Sequence, residues 1–180
     1  LINGSLISET SSIYSFYYAK ELGYTPLLVH IQGKDSLDTV QKSVAELEKI
    51  GNKLGVKVEF QLFENLNEFK KFIEKEDIDI VFSSTRHKHS ILEKSFIQSL
   101  IKKGLETDFA VVKVVKSGVA ESVNKIILPI RDSKLSVKKF VLFSVFNLAY
   151  KSEGEVYSIN EVSPFEFKNS LKYIKKRTKE

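Results

Sequence analysis

The fold is decided by residues 27–62, which read LLVHIQGKDSLDTVQKSVAELEKIGNKLGVKVEFQL. The first five residues form a short apolar run that is typical of a buried strand. Between Leu37 and Leu54, apolar side chains recur every three or four residues, which predicts an amphipathic helix that ends at Gly55. Residues 56–62 then alternate apolar and polar positions, as a half-buried strand does. A strand, a helix and a strand in immediate succession predict a crossover connection, and therefore two parallel strands.

The same alternation continues on both sides of this segment. Upstream, Leu1-Ile2 is interpreted as the tail of a buried strand, and turn residues at positions 3–5 then precede a helix predicted from Ser8 to Leu22. Downstream, the pattern predicts a helix over 66–73, a strand over 78–82, a polar loop over 83–90, a helix over 91–103 and a strand over 109–115. We therefore expect an α/β fold of the doubly wound, Rossmann-like kind, with a parallel five-stranded sheet and helices on both faces.

A partial second copy of this pattern follows a polar stretch that begins at Lys116. It predicts a strand over 126–130, a helix over 135–149, a strand over 155–159 and a basic helix over 163–176. The two copies start about 125 residues apart, which is longer than the repeats of roughly 20–50 residues found in solenoids. We predict one unit at 1–115, a linker at 116–122, and the N-terminal half of a second unit at 123–180.

Each copy starts with a short apolar segment and a turn: residues 2–5 read INGS, and residues 128–133 read LPIRDS. In the first copy the next strand contains residues 28–31, LVHI. These segments resemble the universal stress protein family, whose members open with a strand that ends in a turn of the type V-P-x-D-x-S and have a second strand similar to LVHI. The resemblance implies a tandem protein with a truncated second unit, on the adenine nucleotide alpha hydrolase-like fold.

The resemblance also implies a nucleotide site, in which the phosphate loop is altered. Members that bind ATP use an Asp after the first strand, where Asn3 stands here, and a G-x-x-G … G-[ST] loop. Ser83 and Arg86 occupy the first two glycine positions, and Gln98-Ser99 the final pair. Each side chain adds a Cβ where phosphate contact needs bare backbone, although serine and arginine can themselves donate to a phosphate. We expect a degenerate site, with ATP as a candidate cofactor and none required. Its nucleotide-binding residues would be Asn3, Ile31, Ser83, Ser84, Arg86 and Ser99.

The side chains suited to catalysis or metal binding do not form a recognisable set. Ser11, Ser12 and Ser15 have no evident general base, and the chain has no cysteine. His87 and His89 lie in a basic loop without a third ligand, so a solvated or anion-facing loop is favoured over a metal site. We expect neither a catalytic residue nor a metal site, and no enzyme activity.

Three further titratable positions have structural interpretations. His30, near the end of a strand, is interpreted as a core or crevice histidine. Asp77 and Asp79 are interpreted as exposed acids at a strand start. Tyr18, with its neighbouring tyrosines, is expected to pack on the sheet and not to bind a cofactor.

Charge and hydropathy limit the kinds of partner and the location that we expect for the chain. The net charge of +5 comes from residues 116–180, and a solvated basic helix is favoured over a nucleic-acid surface. No apolar run approaches the roughly 20 residues of a membrane span, and no secretory leader is recognisable, so we expect a cytoplasmic protein without membrane insertion. The apolar run Phe109–Val115 predicts an edge strand through which two chains form a homodimer.

These observations favour a non-catalytic binding or regulatory module in the stress response. A protein partner is compatible with that role. Two alternatives remain open: a nucleotide-binding protein with slow hydrolysis, and the cytosolic regulatory region of a cation–proton antiporter.

Overall fold

The computed structural model describes residues 1–33, 35–85, 100–102, 104, 107–114, 122–130 and 137–158. The chain divides into two compact units, Leu1–Ala120 and Glu121–Glu180, and each is described by itself. The sequence predictions for Arg86, Ser99, the two loop histidines and the basic helix over 163–176 lie outside the described residues.

Unit 1 begins with a short extended segment, Leu1–Ile2, and a turn, and then alternates helix and strand. Helix α1 starts at Leu6, two residues earlier than predicted, because the Ser5 side chain caps it by accepting from the Ser8 amide. Gly23 ends α1 in the left-handed conformation. The elements that follow are β1 (Leu27–Ile31), α2 (Leu37–Leu54), β2 (Glu59–Phe63), α3 (Leu66–Lys75), β3 (Ile80–Thr85) and β4 (Asp108–Lys113).

The strands of unit 1 form two parallel pairs, β1 with β2 and β3 with β4. The α/β class with parallel strands is therefore confirmed, but the predicted five-stranded sheet is wrong. The segment Leu1–Ile2 lies between the two pairs without forming a strand ladder with either. It contributes one backbone bond to each neighbour: Ile2 N–H donates to the Val29 carbonyl (2.8 Å), and the Leu1 amino group donates to the Phe82 carbonyl (2.7 Å).

Apolar side chains pack on both faces of these strands. Alternation along β1 sends Val29 to a cluster with Phe69 and Ile73 of α3, and Leu28 to a cluster with Phe16 of α1. The second cluster also contains the buried stripe of α2, formed by Val40, Val44 and Leu47. Helices therefore pack on both faces of these strands.

The polar loop predicted from Ser83 is wrong at its start. Strand β3 continues to Thr85, because Ser83 and Ser84 lie in register with Val111 and Val112 of β4. The backbone pairing of two neighbouring strands overrides the turn preference of a Ser-Ser-Thr sequence.

Unit 2 contains β5 (Lys125–Ile130), helix α4 (Val137–Tyr150) and β6 (Glu153–Ser158), with the two strands parallel. Leu128 and Ile130 pack with Phe140, and Phe143 and Val156 extend that cluster. Across the ranges given above, no helix has both the length and the apolar composition needed to cross a membrane.

Candidate functional site

The carboxyl ends of the strands bring three of the predicted site residues to one edge of unit 1. In a parallel ladder, the Ile2 bond to the Val29 carbonyl sets Asn3 level with Ile31. The Leu1 bond to the Phe82 carbonyl likewise sets Asn3 level with Thr85, next to Ser84. We call this group, Asn3, Ile31, Ser84 and Thr85, the carboxyl edge. It holds an amide, two hydroxyls and an aliphatic side chain.

Ser83 was also a predicted nucleotide-binding residue, and it lies one position back from this edge. Its residue is only 5% exposed, inside β3 and opposite Val111. A buried strand position is poorly placed to receive a phosphate directly. Arg86 and Ser99, which complete the predicted set, belong to the part of the chain that is not described.

The Asn3 side chain is fixed by the turn that follows it. Its Oδ1 accepts from the Ser5 amide (3.2 Å) and from the Ser5 hydroxyl (2.7 Å). The Asn3 amide in turn donates to the Ser8 hydroxyl (3.3 Å). Since Oδ1 is occupied within the turn, the Nδ2 group is the end of this side chain suited to a ligand, and it can only donate.

Gly4 holds this turn against α2. Its φ of 78° is left-handed, and a Cβ there would lie 2.8 Å from Thr39 Cγ2 and 3.2 Å from the Thr39 carbonyl carbon. A glycine is therefore required both by the backbone angle and by the close approach of the neighbouring helix. The turn is positioned between the start of α1 and the first turn of α2.

Two helix N-termini point toward this edge, since α1 follows the Leu1–Ile2 segment and α2 follows β1. Their dipoles favour negative charge nearby. One carboxylate is already present in the first turn of α1: Glu9, whose Oε1 accepts from the Ser43 hydroxyl of α2. This bond joins the two helices close to the edge.

His30 is part of the core beneath the edge. The residue is 3% exposed, and its Nδ1 lies 2.9 Å from the Ile2 carbonyl. A carbonyl oxygen only accepts, so Nδ1 carries the hydrogen in this contact. The interpretation of His30 as a satisfied core histidine is confirmed, and its ring anchors the Leu1–Ile2 segment to β1.

A cavity of about 310 Å³ opens at the opposite, amino-terminal edge of β1 and β3. At its rim the Tyr18 hydroxyl donates to Asp79 Oδ2 (2.7 Å), and burial together with this bond raises the pKa of Tyr18. The sequence predicted Asp79 as an exposed acid and Tyr18 as a packing residue, and missed their contact. The two residues are 61 positions apart, and no local pattern links them.

Among the residues whose placement is described, no three acidic, histidine or cysteine side chains cluster as a metal site would require. No family model matches the chain, and no curated protein matches it. The geometry of the described residues is therefore the basis on which a function can be proposed.

Proposed function

We propose that the chain is a non-catalytic binding and regulatory module of the universal stress protein type, which takes a small anionic ligand or nucleotide at the carboxyl edge of unit 1. The observation that carries this proposal is the position of Leu1–Ile2 between β1 and β3. From this segment the chain proceeds through α1 to β1 on one side, and later returns to β3 on the other. Parallel α/β folds bind ligands outside the carboxyl ends of the strands, at the point where the chain direction reverses in this way.

The chemistry of the edge favours binding over catalysis. Asn3, Ser84 and Thr85 offer neutral hydrogen-bonding groups, and Ile31 offers an apolar contact for a base. Neutral amides and hydroxyls orient a ligand, whereas hydrolysis needs a positioned base or an activated nucleophile. The helix N-termini at this edge add a preference for negative charge, which suits a phosphate.

Thermal-shift and calorimetric titration with ATP, ADP, AMP, a cyclic nucleotide and inorganic phosphate tests the proposal. A ligand at a hundred times its Kd should stabilise the folded chain by about 2.7 kcal/mol. Binding without release of phosphate from ATP supports a regulatory module. Release of phosphate in the same samples supports slow hydrolysis instead, and no binding of any ligand contradicts the proposal.

The variant Asn3→Asp tests whether the ligand binds at the carboxyl edge. An Asp keeps one oxygen to accept from Ser5, so the turn is preserved, and it replaces the Nδ2 donor with a charged acceptor. A ribose hydroxyl would donate to that oxygen, and a hydrogen bond to a charged group contributes about 1.5–3 kcal/mol, or at least roughly tenfold in Kd. We expect tighter nucleoside binding and weaker binding of phosphate alone.

Asn65→Asp is the matched control. Asn65 caps α3 through its Oδ1, which accepts from the amides of Asn67 (2.9 Å) and Glu68 (3.1 Å), and it lies beyond the end of β2. This substitution makes the same chemical change at the cap of another helix. Equal effects of the two substitutions would mean that the ligand does not bind beside Asn3.

We also propose that two copies pair through β4. Within the described part of the chain β4 is hydrogen-bonded to β3 alone, and Val111 on it is 49% exposed. An apolar edge of this kind invites pairing with another strand. Light scattering should show the wild type as a dimer at micromolar concentration and the Val111→Lys variant as a monomer. The control variant Val137→Lys, which changes another exposed valine, should remain a dimer. A monomeric wild type would contradict this pairing. We also propose a cytoplasmic location, which is compatible with the regulatory role.

A further inference from the structure

One hydroxyl in the interior of unit 1 has no hydrogen-bond partner. Ser11, in the middle of α1, is 1% exposed, and in the described part of the chain its Oγ is the buried side-chain polar atom that is left without a partner. A buried hydroxyl without a partner destabilises the folded state. In native proteins such a group calls for an explanation, for example a functional role or a bound water or ion. Ser11 is therefore a candidate for contact with a ligand.

The hydroxyl of Ser11 is not used within its own helix. Serine and threonine side chains in a helix commonly bond back to a carbonyl one turn earlier. All residues of α1 are described, and every other serine or threonine of this helix makes such a bond; the donors are Ser8, Thr10, Ser12 and Ser15. Because Ser11 makes none, its Oγ remains available to a group outside the helix.

Helical geometry places Ser11 beside the carboxyl end of β3. Two turns further along the same face of α1, Tyr18 donates to Asp79, and its ring lies 5.6 Å from the ring of Phe82. α1 leads from the carboxyl edge back to the start of β1, so it runs antiparallel to the strands. Seven residues of a helix cover about 10.5 Å, or roughly three residues of a strand. Ser11 is therefore level with the last residues of β3.

Ser84 is the residue of β3 that faces α1 at this level. Alternation along the strand sends Val81 to the apolar cluster with α3, and sends Phe82 and Ser84 to the side of α1. Ser84 is half-buried, and its hydroxyl makes no hydrogen bond within the described residues. Two hydroxyls without partners, those of Ser11 and Ser84, therefore border the same space between α1 and β3.

We propose that Ser11 is a further ligand-binding residue of the carboxyl edge, and that its hydroxyl and the hydroxyl of Ser84 together hold one oxygen of a phosphate group. This inference rests on the proposed function, because it assumes that an anionic ligand binds at this edge. Each hydroxyl can donate one hydrogen bond, and a bond to a charged oxygen is stronger than one between neutral groups. The bound oxygen would satisfy the hydroxyl that destabilises the ligand-free fold.

The variant Ser11→Ala tests the inference in the full chain, and Ser12→Ala is the matched control. Ser12 is the next residue and is 3% exposed, but its hydroxyl already donates to the Ser8 carbonyl (3.0 Å). Both variants gain the helix propensity of alanine, so the difference between them reports the state of the hydroxyl. Without ligand, unit 1 should melt about 2 °C or more higher in Ser11→Ala than in Ser12→Ala, because only the first variant removes an unpaired buried group.

Binding should be affected in the opposite direction to stability. The probes are inorganic phosphate, AMP and adenosine. For each phosphate-bearing probe that the wild type binds, Kd should rise roughly tenfold or more in Ser11→Ala, as expected for the loss of a hydrogen bond to a charged group, and less than about twofold in Ser12→Ala. Adenosine, which has no phosphate, should bind equally to all three chains. A response with AMP alone would identify the phosphate of a nucleotide, and a response with inorganic phosphate a free phosphate.

The outcomes that would overturn the inference differ from one another. If Ser11→Ala melts no higher than Ser12→Ala, the hydroxyl has a partner in the ligand-free fold. If Ser11→Ala binds phosphate and AMP as tightly as the wild type does, Ser11 does not contact the ligand, although the proposed function still stands. An equal loss of adenosine binding would overturn the phosphate contact too. If the wild type binds neither phosphate nor AMP, the proposed anion site fails, and this inference fails with it.

Discussion

In a polypeptide prepared so that it starts at Leu1, the free amino group of that residue should make the stability of unit 1 depend on pH. The nitrogen is buried between β1 and β3, and burial lowers the pKa of this group from 8.0 to about 5. Between these two values the unfolded chain holds a proton on the amine that the folded chain does not hold. Lowering the pH from 8 to 5 therefore favours unfolding, and above pH 8 the effect is absent.

The size of the effect follows from the shift in pKa. A change from 8.0 to about 5 is three pH units, each of which corresponds to 1.36 kcal/mol, so the free energy of unfolding should fall by about 4 kcal/mol between pH 8 and pH 5. Below pH 5 the loss should level off, because both states then bind the proton.

The assay compares the chain with a form acetylated at Leu1. Acetylation leaves one N–H that can donate to the Phe82 carbonyl but removes the titrating amine, and the cavity of about 310 Å³ that Leu1 borders has room for the acetyl group. Urea unfolding at pH 5, 6, 7 and 8, followed by NMR through a methyl signal of buried Leu47, reports unit 1 alone. Other titrating groups are common to both forms and cancel in the difference.

The difference in unfolding free energy between the two forms should grow steadily as the pH falls from 8 to 5. If it is the same at every pH, the Leu1 nitrogen is not buried in the folded chain. The placement of Leu1–Ile2 between β1 and β3 would then be refuted.

Glycine and core substitutions test the packing of each unit. Gly4→Ala should lower the free energy of unfolding in urea more than Gly23→Ala does. Both substitutions cost about 1–2 kcal/mol because a side chain is strained in a left-handed backbone, but only the Cβ at Gly4 would press on Thr39. Equal losses would contradict that contact. Phe69→Ala should lower the unfolding free energy by about 3–5 kcal/mol, since the residue is 2% exposed, and a loss below about 1 kcal/mol would place it outside the core. Gly154→Ala should destabilise unit 2, where a Cβ would lie 2.9 Å from side-chain atoms of α4, and NMR melting should show unit 1 unchanged.

Strong periodicity made most elements predictable. The helix predicted from Leu37 to Leu54 has those bounds in the structure, because its apolar stripe is regular and Gly55 ends it with a φ of 74°. The start of α1 was harder to predict. Ser5 and Ser8 are both good capping residues, and the sequence alone does not show that Ser5 accepts from the amide of Ser8.

The errors concern pairing between distant segments. A strand pattern predicts an extended segment, but it does not count the hydrogen bonds that a neighbour supplies. Leu1–Ile2, interpreted as the tail of a buried strand, makes one backbone bond to each neighbour. The extension of β3 through Ser84 depends on Val112, which lies in another strand and has no local signature. Propensity is a weaker guide than pairing in such positions.

The grouping of the candidate site residues could be predicted better than the hydrogen bonds within the group. Asn3, Ile31 and Ser84 each follow or end a strand, and parallel strands bring their carboxyl ends to one edge. The use of Asn3 Oδ1 within the Ser5 turn was not anticipated, although an Asn-Gly-Ser sequence is known turn chemistry. That bond changes what Asn3 can offer a ligand from an acceptor to a donor.

The most direct test of the central claim is an amide-resolved NMR titration of the chain with ATP, with phosphate release measured in the same tube. If the carboxyl edge holds the ligand, the signals of Asn3, Ile31 and Ser84 should shift saturably while ATP stays intact. Saturable shifts confined to other residues, or steady release of phosphate, would contradict it.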